Sequence, residues 1–360
     1  MLRSGLGYSE CDVAACLNVS ADHLGLRGME TLEDLAEVKR VPIEVTKNTA
    51  VLNADDTLCL KMADYSEAEH LCYVTMNPGH TLVKEHVRAG GRAVVLEEGF
   101  NGHMITIYDA GNHIPLLWTH LIPATLEGRA LHNVQNAMFA AALAFALNIN
   151  LENIRHGLQT FDTTFFQAPG RMNIFDEHPF KVILDYAHNP AAVKTMCDVI
   201  DRIEAEGRKI LVLSAPGDRR DQDIEAIGRI AAGHFDHYIC RSDDNPRGRG
   251  PDEVPRMLQT ALLAEGMNQD QIEVIAEEER AVSAALACAE PGDLVLIFAD
   301  AIKRCWKQII YFDSGDNIKD RSAPVSTQAR PLELGDFEMD QELELIRDAR
   351  GVRIAREAGD

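Results

Sequence analysis

The chain has 360 residues, 46% apolar and 26% charged, a globular composition that excludes a mainly disordered polypeptide and allows two or three domains. Its 57 acidic against 35 basic side chains give a formal charge of −22, which disfavours general nucleic-acid binding. No apolar run reaches the roughly 18 residues that span a bilayer, Met1 leads into no signal-peptide core, and the eight cysteines show neither a CxxC pair nor zinc spacing. The expectation is a cytoplasmic protein in a reducing compartment, with no nucleic-acid or membrane partner.

In chain order, Val13 to Asn18 reads as a strand. Thr31 to Val45 reads as a helix, with Thr31 as N-cap, Asp34 three residues on, and Leu32, Leu35 and Val38 at helical spacing. Ala50 to Asn53, Leu71 to Met76, Arg92 to Leu96, Met104 to Tyr108 and Ile114 to Trp118 are strand-like runs, and helices follow at His132 to Leu147 and Leu151 to Phe161. Asp162 to Gly170 has Pro and Gly but no period, which predicts a domain boundary.

Beyond it, strands at Lys181 to Tyr186, Lys209 to Ser214, His237 to Arg241, Ile272 to Ile275 and Asp293 to Phe298 alternate with helices at Ala191 to Glu204, Ile224 to Ala232, Val254 to Glu265 and Glu277 to Ala289. That rhythm predicts an α/β fold with a parallel sheet covered by helices, and places ligands at the carboxyl ends of the strands. From Ser314 the chain is charged, a flexible tail with one helix between Asp340 and Arg353.

Three successive strand ends carry loops suited to chemistry. Asp185-Tyr186-Ala187-His188-Asn189-Pro190 offers a carboxylate and an imidazole for a ribose hydroxyl, a phosphate or a metal, or else Asp185 and Asn189 cap a helix that Pro190 begins. Gly217-Asp218-Arg219-Arg220-Asp221 sets two arginines among acids, which suits either an anionic substrate or a surface ion-pair loop. Asn245, Arg247 and Arg249 stand in a third loop, Asp243 to Gly250, fit for a zwitterionic group or an ordinary polar turn. In the first half, Asn18 to His23 could reach a hard cation such as magnesium. Asn133 and Asn136, three apart on a helix face, could read a base edge, and Arg171 after Pro169-Gly170 could meet phosphate.

Taken together, these stretches resemble the Mur ligase superfamily, and within it the C-terminal, Mur-ligase-like half of cyanophycin synthetase. The likeness rests on Leu2 to Tyr8, Asp185 to Pro190, Gly217 to Asp221, Arg247-Gly248-Arg249 and Arg304 to Ile310, and covers about residues 1 to 312. It implies a partial central, ATP-binding domain at residues 1–167, a Rossmann-like C-terminal domain at 168–312 and a charged tail at 313–360. By the same resemblance His23 is the magnesium ligand, Lys39 stands where many members carry a carbamylated lysine, and His188 joins Lys39 as a catalytic residue. Asn133 and Asn136 touch adenine, Arg171 touches phosphate, and Asp185 binds ribose. Asp218, Arg219, Arg220, Asn245, Arg247 and Arg249 meet the amino-acid substrate.

The implied reaction uses ATP and Mg2+ to activate a carboxylate as an acyl phosphate that an amine attacks, adding arginine to the β-carboxylate of an aspartate polymer. The 360 residues contain no G-x-x-x-x-G-K-[ST] loop to hold a triphosphate. The expectation is therefore a truncated ligase, inactive alone, that works with a full-length synthetase or as a homo-oligomer, or a non-catalytic accessory subunit. Residues 1 to about 165 are expected to be the less stable half. Asp244-Asn245-Pro246-Arg247 also resembles the recognition motif of the diaminopimelate-adding member, a competing reading.

Overall fold

The computed structural model describes residues 5–22, 24, 25, 28–313 and 344–355. By their contacts these form two units, one from residues within 1–20, 26–161 and 331–360, the other from residues within 21–25 and 162–330.

In the first unit, β1 (Cys11–Cys16) leads through α1 (Leu32–Glu44) to β2 (Thr46–Asn53). The Thr31 side chain accepts from Asp34 N while the Asp34 carboxylate accepts from Thr31 N, so the capping box expected from the sequence starts α1. A short α2 (Thr57–Lys61), capped by Asp56, precedes β3 (His70–Thr75), and α3 (Thr81–Arg88) precedes β4 (Arg92–Gly99). β1 to β4 run parallel in sequential order. Then β5 (Gly102–Asp109) and β6 (Asn112–Trp118) turn back antiparallel. The second reversal takes only Ala110 and Gly111, both at positive φ, the backbone of a tight hairpin turn. α4 (Leu131–Ala146) packs on the sheet, with its Met138 and Phe139 in one buried cluster with Val74, Val94 and Leu96, and α5 (Leu151–Thr160) packs against α4 and β6.

In the second unit, β7 (Asn173–Phe175) is an antiparallel edge strand. From there β8 (Lys181–Asp185), α6 (Pro190–Asp201), β9 (Lys209–Leu213), α7 (Asp221–Ala231), β10 (His237–Cys240), α8 (Glu253–Ala264), β11 (Ile272–Val274), α9 (Glu278–Cys288), β12 (Leu294–Phe298) and α10 (Ile302–Tyr311) alternate as the sequence predicts. The sheet order is β11-β10-β9-β12-β8-β7, with β12 inserted between β9 and β8. Every residue of β12 is 2% exposed or less, which is why it reads as an unbroken Leu-Val-Leu-Ile-Phe run: helices cover both faces.

The C-terminal segment departs from expectation. Instead of a helix between Asp340 and Arg353, β13 (Leu345–Asp348) and β14 (Gly351–Ile354) form an antiparallel hairpin packed on α3. Val352 and Ile354 are buried, so the described part of this segment is docked structure rather than tail. Helix propensity here yields to tertiary burial. Gly351 sits at φ +111 against the His86 ring, a place that only glycine can occupy. Val352 N donates to His86 Nδ1, Tyr73 Oη donates to Val352 O, and Arg353 pairs with Asp64 at 2.7 Å. Among the described residues, no helix is long and apolar enough to cross a membrane.

Candidate functional site

The carboxyl ends of β8, β9, β10 and β12 lie side by side in the second unit, and the polar loops predicted from the sequence grow from three of them. Asp185 closes β8, where its carboxylate accepts from Met172 N at 2.8 Å and makes no ion pair among the described residues. Burial pushes it up to about 6, against partial relief from that backbone donor and from Arg171. Its donors among the described residues, Met172 N and Ala187 N, are both backbone groups, and a buried carboxylate held this way suits a ligand hydroxyl. Arg171 itself is exposed, its guanidinium 5.9 Å from the centre of the Tyr186 ring.

Two residues on, His188 Nδ1 donates to Tyr186 O at 2.9 Å, and Nε2 lies 3.8 Å from Asp22. Asp22 holds the imidazole above its ordinary range, against the opposing effect of burial. Asn189 caps α6, accepting from Ala192 N and donating to Asp22, and Pro190 takes the first helical position. Capping and site geometry thus share one turn.

From Asp22 a chain of alternating charge runs along the strand ends. Asp22 pairs with Arg219 at 2.9 Å, Arg219 with Asp218 at 3.4 Å, and Asp218 with Arg247 at 2.9 Å. Arg247 reaches toward Asp243 at 4.0 Å, and Asp243 meets Arg241 at 3.3 Å. Arg241, fully buried, pairs with the equally buried Glu278 at 2.9 Å and donates to Phe298 O at 2.6 Å. Glu278 also takes Asp300 N, Ala301 N and Arg304, and Arg304 holds Asp244 through two bonds of 2.7 and 2.8 Å. Burial raises the Asp243 carboxyl, while Arg304 lowers Asp244.

The predicted substrate residues divide within this chain of charges. Asp218, Arg219 and Arg247 belong to it, and Asn245 Oδ1 accepts from Arg247 N at 3.0 Å. Arg247 sits at φ +52, a left-handed conformation that costs a non-glycine residue about 1 kcal/mol or more. Arg249 is spent on scaffolding: it donates to Gly217 O and Arg219 O and pairs with Asp221 at 2.6 Å. Arg220 is turned to Asp223 at 2.8 Å. A Cβ at Gly217 would overlap the Pro246 carbonyl oxygen, so the second and third loops touch backbone to backbone.

In the first unit, Lys39 Nζ donates to Asn18 O at 3.0 Å, holding the loop after β1. Asn133 Nδ2 donates to Ala124 O and Asn136 Nδ2 to Asn133 Oδ1, so the two amides are linked on one face of α4. Next to them His132 keeps a buried Nδ1 with no partner, and burial pushes its pKa down to about 4. His23, the predicted metal ligand, lies outside the described residues. Among the described residues, no group of three or more His, Cys, Asp or Glu side chains is placed to hold a metal ion. An open groove of about 630 Å3 lined by Arg92, Asp109, Phe145 and Arg155 contains none of the predicted residues.

Sequence reasoning did not single out Arg241 and Glu278, which the structure places at the centre of this chain of charges. Glu278 looks like any first-turn acid of a helix, and only the crossing of β10, α9 and β12 makes it a hub.

Residues 4–144 match the Mur ligase middle domain, and residues 170–301 match the Mur ligase glutamate ligase domain. Cyanophycin synthetase of Trichormus variabilis is 38% identical over 321 residues, covering 86% of this chain and 34% of that protein. The chain thus spans about a third of the length of such relatives. A UDP-N-acetylmuramoyl-L-alanyl-D-glutamate-2,6-diaminopimelate ligase of Caldanaerobacter subterraneus is 27% identical, covering 86% of this chain and 59% of its own. The fold is that of a pseudomurein peptide ligase type C from Methanothermus fervidus (TM-score 0.56, 21% identity, 84% of this chain and 64% of that one). It is equally that of a bifunctional folylpolyglutamate synthase/dihydrofolate synthase from Yersinia pestis, solved with AMPPNP and a manganese ion (TM-score 0.58, 19% identity, 84% of this chain and 62% of that one). The chain belongs to the Mur ligase family, with a middle domain followed by a glutamate ligase domain.

Proposed function

We propose that this chain is part of an ATP-dependent acid–amino acid ligase of the cyanophycin synthetase type, and that its second unit binds the incoming amino acid. The observation that carries this reading is the run of alternating charge from His188 to Asp244 across four strand ends. A zwitterionic substrate with a cationic side chain needs anions and cations interleaved at fixed spacing, and arginine satisfies that pattern. Asp218 and Asp243 would take its positive groups and Arg247 its carboxylate. Arg219, held by Asp22 and Asp218, would orient the loop.

By the family pattern, Asn133 and Asn136 of the first unit are the proposed adenine contacts, Asp185 and Arg171 of the second the proposed ribose and phosphate contacts, and ATP would supply the phosphoryl group that activates a carboxylate. Lys39 and His188 are each proposed as catalytic residues, and magnesium is assigned to no described residue. The family reaction adds arginine to the β-carboxylate of poly-aspartate. Because the 360 residues hold no P-loop motif, turnover by this chain alone is expected to be lost. An accessory role toward a full-length synthetase is the second reading.

The test is magnesium-dependent phosphate release from ATP with arginine and an aspartate-chain primer, by the chain alone and with a full-length synthetase, alongside calorimetric arginine binding. Arginine binding that falls at least tenfold in Arg247→Ala supports the reading. Binding of diaminopimelate in preference to arginine would move the substrate to the peptidoglycan-type relatives. Silence alone with an altered rate in the mixture would favour the accessory role.

A further inference from the structure

We propose that Cys16 and Cys59 are a redox pair that closes to an intramolecular disulfide under peroxide. Their sulfurs lie 3.4 Å apart, with the Cys59 thiol donating to Cys16 Sγ. Cys16 is the last residue of β1 and Cys59 lies in the middle of α2, so the pair bridges two elements 43 residues apart in sequence. Both are buried, at 5% and 0% exposure, inside the first unit.

Chemistry separates the two sulfurs. The Cys59 hydrogen bond, aided by the charge of Lys39, holds Cys16 below the ordinary thiol range, whereas Cys59 is raised by that same bond and by burial. Cys16 is therefore the attacking thiolate. It displaces hydroxide from hydrogen peroxide to give a sulfenic acid. The Cys59 sulfur then attacks the Cys16 sulfur and expels the hydroxyl, which takes the Cys59 proton and leaves as water. Two thiols and one peroxide become one disulfide and two waters, the thiols being oxidised and the peroxide reduced.

The bond would form inside a tightly held loop. Leu17 O accepts from Asn53 Nδ2 at 2.7 Å, Asn18 O from Lys39 at 3.0 Å, and Val19 N donates to Asp56 Oδ2 at 2.7 Å. Asp56 also accepts from Cys59 N, so the carboxylate that pins the loop is the one that caps the helix of Cys59. Oxidation would tie the end of β1 covalently to that helix. The other buried thiols, Cys72, Cys197, Cys240 and Cys305, have no sulfur hydrogen-bonded to them among the described residues.

The experiment treats the full chain with hydrogen peroxide, blocks remaining thiols, and maps peptides without reduction. The expected result is a loss of about 2 Da from the Cys16 and Cys59 peptides joined together, reversed by dithiothreitol and absent from Cys59→Ser. In that variant Cys16 should instead proceed to sulfinic acid, a readout that does not depend on disulfide formation. Full oxidation of the partly exposed Cys11 and Cys288 with Cys16 and Cys59 still unlinked would overturn the proposal. So would linkage spread evenly over other cysteine pairs.

Discussion

The two units bury different kinds of polar group. The first encloses His80 and His86, hydrogen-bonded to the backbone carbonyls of Ala54 and Leu71, and burial lowers both below the ordinary histidine range. The second encloses Asp185, Asp243, Glu278, Arg219 and Arg241 at the strand ends. Polar groups of the first kind complete packing. Those of the second kind are ionisable, all but Asp185 belong to one connected chain of ion pairs, and they coincide with the place where a parallel sheet of this order presents ligands. Burying ions is a poor route to stability, because desolvation offsets the attraction. Their concentration in one unit therefore points to function there, and the contrast can be tested in order of expected effect.

The largest effect is expected at Glu278. Glu278→Ala leaves Arg241 buried without its main counter-charge and should cost roughly 3–5 kcal/mol, read by urea denaturation of the second unit. A loss below 1 kcal/mol would mean that water or relaxation replaces the pair, and the ionic character of the site would need another explanation.

Next comes packing. Leu296→Ala in β12, buried on both sides, should cost about 2–5 kcal/mol, whereas Val13→Ala in the half-buried edge strand β1 should cost about 1 kcal/mol or less. Equal losses would show that β1 is covered in solution.

The smallest effect is a difference in pH slope. His132 is held down to about 4 from an ordinary 6.5, so its contribution is complete above pH 6.5 and is lost as pH falls through 4. Asp185 is raised to about 6 from 3.8, so its contribution is present below pH 3.8 and is lost as pH rises through 6. Each spans on the order of 3 kcal/mol at most. Hydrogen exchange from pH 7 to 4.5 should show His132→Gln flattening the acid loss of the first unit and Asp185→Asn flattening the opposite slope of the second. Identical slopes in variants and parent would remove the contrast.

Much of this was legible beforehand. The Thr31–Asp34 pair marked a helix start, and the apolar runs at 209–213 and 294–298 marked buried strands, because capping and two-sided burial are written in adjacent residues. The loops at Asp185, Gly217 and Asp243 were legible for the same reason. Less local features were hidden. The five-residue α2 follows Asp55-Asp56, which reads as a turn, and the β13–β14 hairpin reads as a charged helix until α3 is there to receive it. Arg249, expected to meet substrate, also donates to the backbone of the neighbouring loop, contacts set by tertiary approach alone.

That hairpin also imposes an order on synthesis. Val352 binds His86, 266 residues earlier in the chain, so the first unit cannot complete its packing until the whole second unit has been made. At about 5–20 residues per second, the surface around Tyr73 and His86 waits roughly 10–50 s on the ribosome for its last two strands. The nascent first unit would therefore be a substrate for chaperones during that interval, and the closing hairpin would report that the second unit had been translated.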